Sequence, residues 1–295
     1  MPQDRGGPNL SEVTTSPSFL RHGPAEPLSP VVLSVPHAGR DYPAELCAAL
    51  RVPVTALSVL EDRHADALAL AACGDETLFV ARRARAWIDL NRAEQERDPR
   101  LDDGASLAAM PILSPKLRSG LGLVPRRAGA AGDIWSRRLG ADEVSARIHA
   151  DHRPYHAALA QALSAAHARF GIAVLLDIHS MPPLGATRGE APRLVFGDRF
   201  GRSAAARFLG RLEGVARAHG VAAAANTPYP GGHVLDRHGN PRGNVHAIQI
   251  EFDRSLYLDS RLDAPGPGLD RTAALLRAMI DAVADESLPT AIAAE

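Results

Sequence analysis

From Val31 onward the chain alternates short apolar runs with longer stretches of helical periodicity, and this alternation restricts its possible folds more than any other feature. The runs V-V-L-S-V (31–35), T-L-F-V-A (77–81), A-W-I-D-L (86–90), I-A-V-L-L-D-I (172–178), R-L-V-F (193–196) and H-A-I-Q-I-E-F (246–252) read as buried strands. Helical patterns fall between them at about 60–73, 135–168, 199–219 and 268–286. Strands separated by helices imply a mostly parallel sheet covered on both faces. The expectation is one α/β domain over residues 31–290, preceded by a flexible or edge-hugging N-terminal arm, residues 1–30, rich in Pro, Gly and Ser. The stretch 98–132 has little periodicity and reads as a long excursion of the kind that closes over a site.

Composition narrows the function classes. A length of 295 residues admits two domains, but no linker divides two cores, and 45% hydrophobic residues can fill one large core. A formal net charge of −1 leaves no basic surface for nucleic acid or an anionic membrane, and 4% aromatics argue against base stacking. No apolar run approaches the ~20 residues that span a bilayer. The N-terminus has no basic segment followed by an apolar core, so a cytoplasmic protein is expected. Cys47 and Cys73 form no C-x-x-C and are expected to be free thiols. Lysine occurs only at Lys116.

Ligands of open α/β sheets collect beyond the carboxyl ends of the strands, and four polar clusters lie there. His37 ends the first strand in S-V-P-H-A-G, Asn91 and Arg92 follow W-I-D-L, His179 ends L-L-D-I-H, and Glu251 closes I-Q-I-E-F. Each taken singly has an ordinary structural explanation; their recurrence on one rim does not. Two histidines and a carboxylate make a catalytic zinc site with a fourth position open to water. The carboxylate is sought in L-E-D-R-H-A-D (60–66), with Asp62 preferred and Glu61, His64 and Asp66 as competitors. Asp177, two residues before His179 on the same strand face, is placed to orient that imidazole. Glu251 suits a general base, Arg85 an oxyanion donor, and Arg92 with Asn91 an anchor for a substrate carboxylate.

These segments resemble the N-formylglutamate amidohydrolase family, relatives of zinc carboxypeptidases and aspartoacylase. The resemblance rests on S-V-P-H-A-G, E-D-R-H-A-D, I-D-L-N-R-A-E, R-P-Y-H-A-A-L, L-D-I-H-S-M-P, N-T-P-Y-P-G-G and I-Q-I-E-F-D-R-S-L-Y, spanning about residues 30 to 262. It implies a zinc-carboxypeptidase-like fold with a central mixed sheet. It also implies Zn2+ as cofactor and a small N-acyl amino acid as substrate, with N-formylglutamate, cleaved to glutamate and formate in histidine degradation, the foremost candidate. By similarity His179 is the last metal histidine, Asn91 and Arg92 bind substrate carboxylate, Arg85 polarises the carbonyl and Glu251 is the base. The departure is H-A-G-R at 37–40 in place of H-x-x-E, so Asp62 is inferred rather than matched. Gly232 and His233 lie in a glycine-rich loop that either approaches substrate or is a plain tight turn. Arg254 either meets a second substrate carboxylate or pairs with an acid, and Arg242 is a further cation for that carboxylate. His156 of R-P-Y-H is read as a satisfied helix histidine. Rival readings are a zinc amidohydrolase or carboxypeptidase of other specificity, and a non-catalytic binding protein. The complete set of His37, His179, Arg85, Arg92 and Glu251 argues against the latter.

Overall fold

Seven strands make one mixed sheet in a computed structural model that describes residues 17–106, 114–185 and 190–288. The strands are β1 (Phe19–His22), β2 (Val31–Val35), β3 (Thr77–Ala81), β4 (Ala173–Met181), β5 (Leu194–Gly197), β6 (Ala223–Ala225) and β7 (Val245–Asp253). Their order is β1-β3-β2-β4-β7-β5-β6. The four central neighbours β3, β2, β4 and β7 run parallel, β1 lies antiparallel on β3, and β5 lies antiparallel on β7. The helices are α1 (Ala44–Ala48), α2 (Ala65–Ala72), α3 (Pro115–Arg118), α4 (Ala141–Arg147), α5 (Arg153–Phe170), α6 (Ala206–Ala218), α7 (His233–His238) and α8 (Leu269–Ser287). None among the described residues is long and apolar enough to cross a membrane. Cys47 and Cys73 are both free.

Because side chains alternate across a strand, each central strand feeds two cores. Val31, Leu33, Val35, Val174, Leu176, Ile178, Ile248 and Ile250 pack with α2, α6 and α8 on one face. Val32, Phe79, Leu175 and Ala247 pack with α4, α5 and the 98–132 excursion on the other. Along this second face the pattern changes toward the carboxyl ends, where Ser34, Asp177, His179, Gln249 and Glu251 continue the same alternation with polar side chains, all buried. Register aligns them, Ser34 opposite Asp177 and His179 opposite Glu251. Buried polar groups persist only where they are hydrogen-bonded or charge-paired, so this end of the sheet is committed to a polar site.

Several sequence expectations need correction. Residues 86–90 are not a strand. Ala86, Ile88 and Leu90 do alternate into the core, but no ladder partner runs alongside. Trp87 N donates to Ala84 O, Asp89 N to Leu123 O and Arg92 N to Asp89 O, which makes a chain of turns braced by the excursion. The helix expected over 135–168 begins only at Ala141, because Trp135 and Ser136 are held by Pro125 and Ala49. It then passes through a π-turn, Ile148–His152, just before Pro154, whose ring nitrogen cannot donate the usual helical bond. The helix expected over 199–219 starts at Ala206, since Arg199, Phe200 and Gly201 all take positive φ. The 60–73 helix starts at Ala65 after His64 at φ 55°, which frees Asp62 to sit in a turn. Within the expected arm, Phe19–His22 pairs with β3 at the sheet edge; residues 1–16 lie outside the described residues, as do 107–113 of the excursion.

His246, buried on β7, shows what a neutral histidine contributes. Its Nδ1 accepts from Ala205 N at 3.2 Å and its ring packs on Phe208, with centroids 4.7 Å apart. Burial, helped by the Arg207 charge, lowers its pKa to about 4. The unfolded chain therefore binds the proton first on acidification. The stability His246 contributes is complete above its unfolded value, about 6.5, and is lost as pH falls through about 4. Thermal melts at pH 7.5 and 5 should show a smaller drop in Tm for His246→Gln than for the parent; an equal or larger drop contradicts this account.

Candidate active site

The carboxyl ends of β2 and β4 and the segment that leads from β2 to α2 converge on one cluster. His37 follows β2, His179 lies near the carboxyl end of β4, and Asp62 sits between a 3-10 turn and α2. Asp62 N donates to His37 O at 2.9 Å, so the two loops are tied by main chain. The His37, Asp62 and His179 side chains are all buried, each offering a ligand atom within 4.8 Å of the others, and together they can hold a metal ion. His179 Nδ1 lies 2.9 Å and His37 Nδ1 3.6 Å from Asp62 Oδ2. On their far sides, His37 Nε2 meets Asp89 Oδ1 at 2.7 Å and His179 Nε2 meets Asp177 Oδ2 at 2.8 Å. Both imidazoles are thus backed by carboxylates and aim their other nitrogen at one point, an arrangement that orients metal-ligating histidines.

The electrostatics of this cluster fit a cation. His37 Nδ1 is buried with no hydrogen-bond partner among the described residues. Burial disfavours the Asp62 charge, but the hydrogen bond from His179 and the nearness of both imidazoles outweigh it and lower its pKa. Burial likewise disfavours a charged His179, yet Asp177 and Asp62 raise its pKa well above the ordinary value. Both directions favour a protonated His179 beside an ionised Asp62, so the cluster favours positive charge among its carboxylates. A metal ion would take that proton's place and give His37 Nδ1 its missing partner.

Around the trio stand four charged groups. Glu251 is buried, and Gln249 Nε2 donates to its Oε1 at 2.9 Å. Burial raises the Glu251 pKa, His179 opposes this, and Asp62 reinforces it. Arg85 Nε donates to Asp89 Oδ2 at 2.8 Å, and its guanidinium feels Asp89, Asp62 and Glu251 together. Arg254 donates through Nε to Ser180 Oγ at 3.1 Å and through Nη2 to Glu61 O, 3.7 Å from Asp62 Oδ1. Arg92 donates through Nε to Leu121 O and through Nη1 to Asn91 O.

A sequence model of the N-formylglutamate amidohydrolase family matches residues 29–258. The chain belongs to this family. N-formylglutamate deformylase of Pseudomonas aeruginosa is 29% identical over 244 residues, covering 79% of this chain and 83% of the relative. The crystal structure of N-formylglutamate amidohydrolase from Ralstonia eutropha is 32% identical, with a TM-score of 0.80 over 92% of this chain and 97% of that one. A gene product of Agrobacterium tumefaciens, 19% identical with a TM-score of 0.61, covers 92% and 96% and shares the fold.

Within this N-formylglutamate amidohydrolase fold, the competitors of Asp62 are turned elsewhere. Glu61 takes hydrogen bonds from Tyr42 Oη and Arg63, Asp66 binds Arg40 bidentately, and His64 precedes α2. Gly232 lies against Asn91: a Cβ there would come within 2.4 Å of Asn91 Oδ1, which accepts from Val234 N. Its close approach is therefore to a protein side chain. His233 opens α7 behind Asn91, among His152 and His156, and Arg242 is exposed in a 3-10 turn.

Two residues escaped the sequence reading. Asp89, fully buried, binds His37 Nε2, Arg85 and Asn91 N at once. Its signal was an acid at an inward position of an otherwise apolar run. Lys116, on α3, is exposed as a residue. Even so, partial burial of its ammonium and the like charges of Arg92 and Arg85 lower its pKa, while Glu251 acts against them. Being the only lysine was its signal.

Asp89→Ala should destabilise the protein by about 3–5 kcal/mol, because removing one member of a buried charge pair leaves Arg85 uncompensated. Urea unfolding checks this, and a loss below ~1 kcal/mol would show that solvent or another acid compensates Arg85.

Proposed function

We propose that the protein is a zinc-dependent N-formylglutamate amidohydrolase, converting N-formyl-L-glutamate to L-glutamate and formate in the cytoplasm. The observation that carries the reading is the buried His37–Asp62–His179 cluster with one imidazole nitrogen left unpartnered, set in a chain of this family. His37, Asp62 and His179 would hold the ion. Two nitrogens and one oxygen are a donor set that zinc accepts with a position to spare. When bound, zinc supplies Lewis acidity that polarises the formyl carbonyl and acidifies water.

The chain's own residues carry the remaining work. Glu251, whose burial raises its proton affinity, takes a proton from the attacking water and returns it to the departing amine of glutamate. Arg85, its charge held in place by Asp89, donates to the oxygen that becomes negative as the carbonyl turns tetrahedral. Arg92 and Asn91 anchor one substrate carboxylate, with Arg254 and Lys116 supplying positive charge toward the other. The buried side chains of the site keep these interactions away from bulk water, which strengthens them.

Glu251→Gln should retain fold and metal content yet lower turnover by about 10²–10⁴-fold, the range for a lost general base. Near-parental turnover would move the base role to another group.

The substrate assignment is tested by kcat/KM across formyl and acetyl derivatives of glutamate, aspartate, glutamine and leucine. N-formylglutamate should lead. Formyl-glutamine and formyl-leucine should fall at least about tenfold behind for each ~1.4 kcal/mol of lost charge pairing. The acetyl derivative loses less, since one methyl is worth about 1–3 kcal/mol. A neutral derivative outrunning N-formylglutamate refutes the substrate while leaving the amidohydrolase chemistry standing.

A further inference from the structure

Behind Asn91 lies a second cluster of imidazoles that the reaction does not use. His152 ends the π-turn, His156 is on the first turn of α5, His233 opens α7 and His238 closes it. The rings are packed together: His152 and His156 centroids are 4.4 Å apart, His156 and His233 5.2 Å, His152 and His233 5.8 Å, and His156 and His238 5.2 Å. We infer that His152, His156 and His233 form a second metal site, selective for a borderline divalent transition ion such as Zn2+, Ni2+ or Co2+.

The hydrogen bonds fix which nitrogens are available. His152 Nε2 lies 2.8 Å from Arg92 O and His156 Nε2 2.9 Å from Leu90 O. A carbonyl only accepts, so both Nε2 atoms carry hydrogen and both Nδ1 atoms of the neutral rings carry lone pairs. His152 Nδ1 is buried with no partner among the described residues, and so is His233 Nε2. His156 Nδ1 is met by His238 Nε2 at 3.0 Å, a bond that an ion would displace. One nitrogen from each of His152, His156 and His233 lies within 4.8 Å of the other two. Two unsatisfied buried nitrogens on one small cluster are costly unless something is bound between them.

The surroundings agree. Burial above all disfavours the charged form of the four rings, at His152 against the Arg92 carbonyl and Glu94, with His233 and His238 lowered to about 4 and His152 and His156 also lowered. Neutral imidazole is the form that binds metal. The all-nitrogen donor set disfavours Mg2+ and Ca2+, which require oxygen. Glu94 Oε1, 3.9 Å from His152 Nδ1, supplies negative charge nearby. The carbonyl bonds of His152 and His156 act as the outer support expected for ligand imidazoles. Because those carbonyls belong to Leu90 and Arg92, an ion here would also brace the segment that carries Asn91.

The test is metal stoichiometry of the full chain, independent of turnover. Metal-free protein is titrated with Co2+ by calorimetry and by equilibrium dialysis with elemental analysis, in the parent, His233→Phe, His152→Phe and His179→Ala. The expected result is two equivalents for the parent and one for each variant. The single ion of His233→Phe and of His152→Phe sits at the first cluster, and that of His179→Ala at the second. His233 is only partly buried, so His233→Phe decides the matter if His152→Phe fails to fold by circular dichroism. One equivalent in the parent that His233→Phe retains overturns the site, as does a second equivalent that survives in His233→Phe. One equivalent in the parent that His179→Ala retains and His233→Phe loses supports this site, and refutes instead the metal assigned above to His37, Asp62 and His179.

Discussion

The structure is organised around a row of alternating carboxylates and imidazoles sealed from water: Asp89, His37, Asp62, His179 and Asp177, each within 3.6 Å of the next. Three carboxylates cannot be buried together unless every one is answered by a donor or a cation. Two histidines answer from within the row, and Arg85 and Arg254 answer from its flanks. Much local architecture follows from that demand. Ser34 gives its hydroxyl to Asp177, Asn91 gives its main-chain N–H to Asp89, and Asp62 is held by the carbonyl of His37. Each of these contacts satisfies a lone pair or places a charge, and together they leave one nitrogen open.

The sheet makes such a row possible by supplying rigid, parallel neighbours. Side chains in register on β2, β4 and β7 project from the same face at fixed spacing. A change from Val32, Leu175 and Ala247 to Ser34, Asp177 and Gln249 one step along therefore turns a core into a site without any change of backbone. The opposite face stays apolar through Val35, Ile178 and Ile250 under α2 and α8, with Ser180 the polar residue at the end of β4. One face bears the load of stability and the other divides its length between stability and chemistry.

Much of this was legible in the sequence, for a physical reason. A polar residue at the end of an apolar run is costly to bury without purpose, so His37, His179 and Glu251 announced a rim before any coordinates. Asp62 needed the backbone, because four acids or histidines lie within the six residues 61–66 and only the turn before α2 decides which faces inward. Residues 86–90 misled because inward alternation of Ala86, Ile88 and Leu90 reports burial, whereas a strand also needs a ladder partner. The edge strand β6 is three alanines, which carry no periodic signal at all. Asp89 and Lys116 were hidden because their importance lies in distant partners. The histidine of R-P-Y-H was read as a satisfied helix residue, and it does bond Leu90 O, but besides His152 one turn earlier its company includes His233 and His238 from the distant α7.

The parallel pairing of β2 with β4 also governs when the centre comes into being. Ser34 and Asp177, which touch across that pair, are 143 residues apart in the chain, whereas His37 and Asp62 are joined by a local main-chain bond. Contacts at such separation require a large loop to close before they return anything, which makes parallel sheets slow to assemble. Any partly folded form that lacks the β2–β4 seam holds two of the three candidate ligands and not the third. A nascent chain that has not yet emerged as far as His179 therefore offers only an incomplete cage to passing metal ions, and the completed centre is a property of the finished sheet alone.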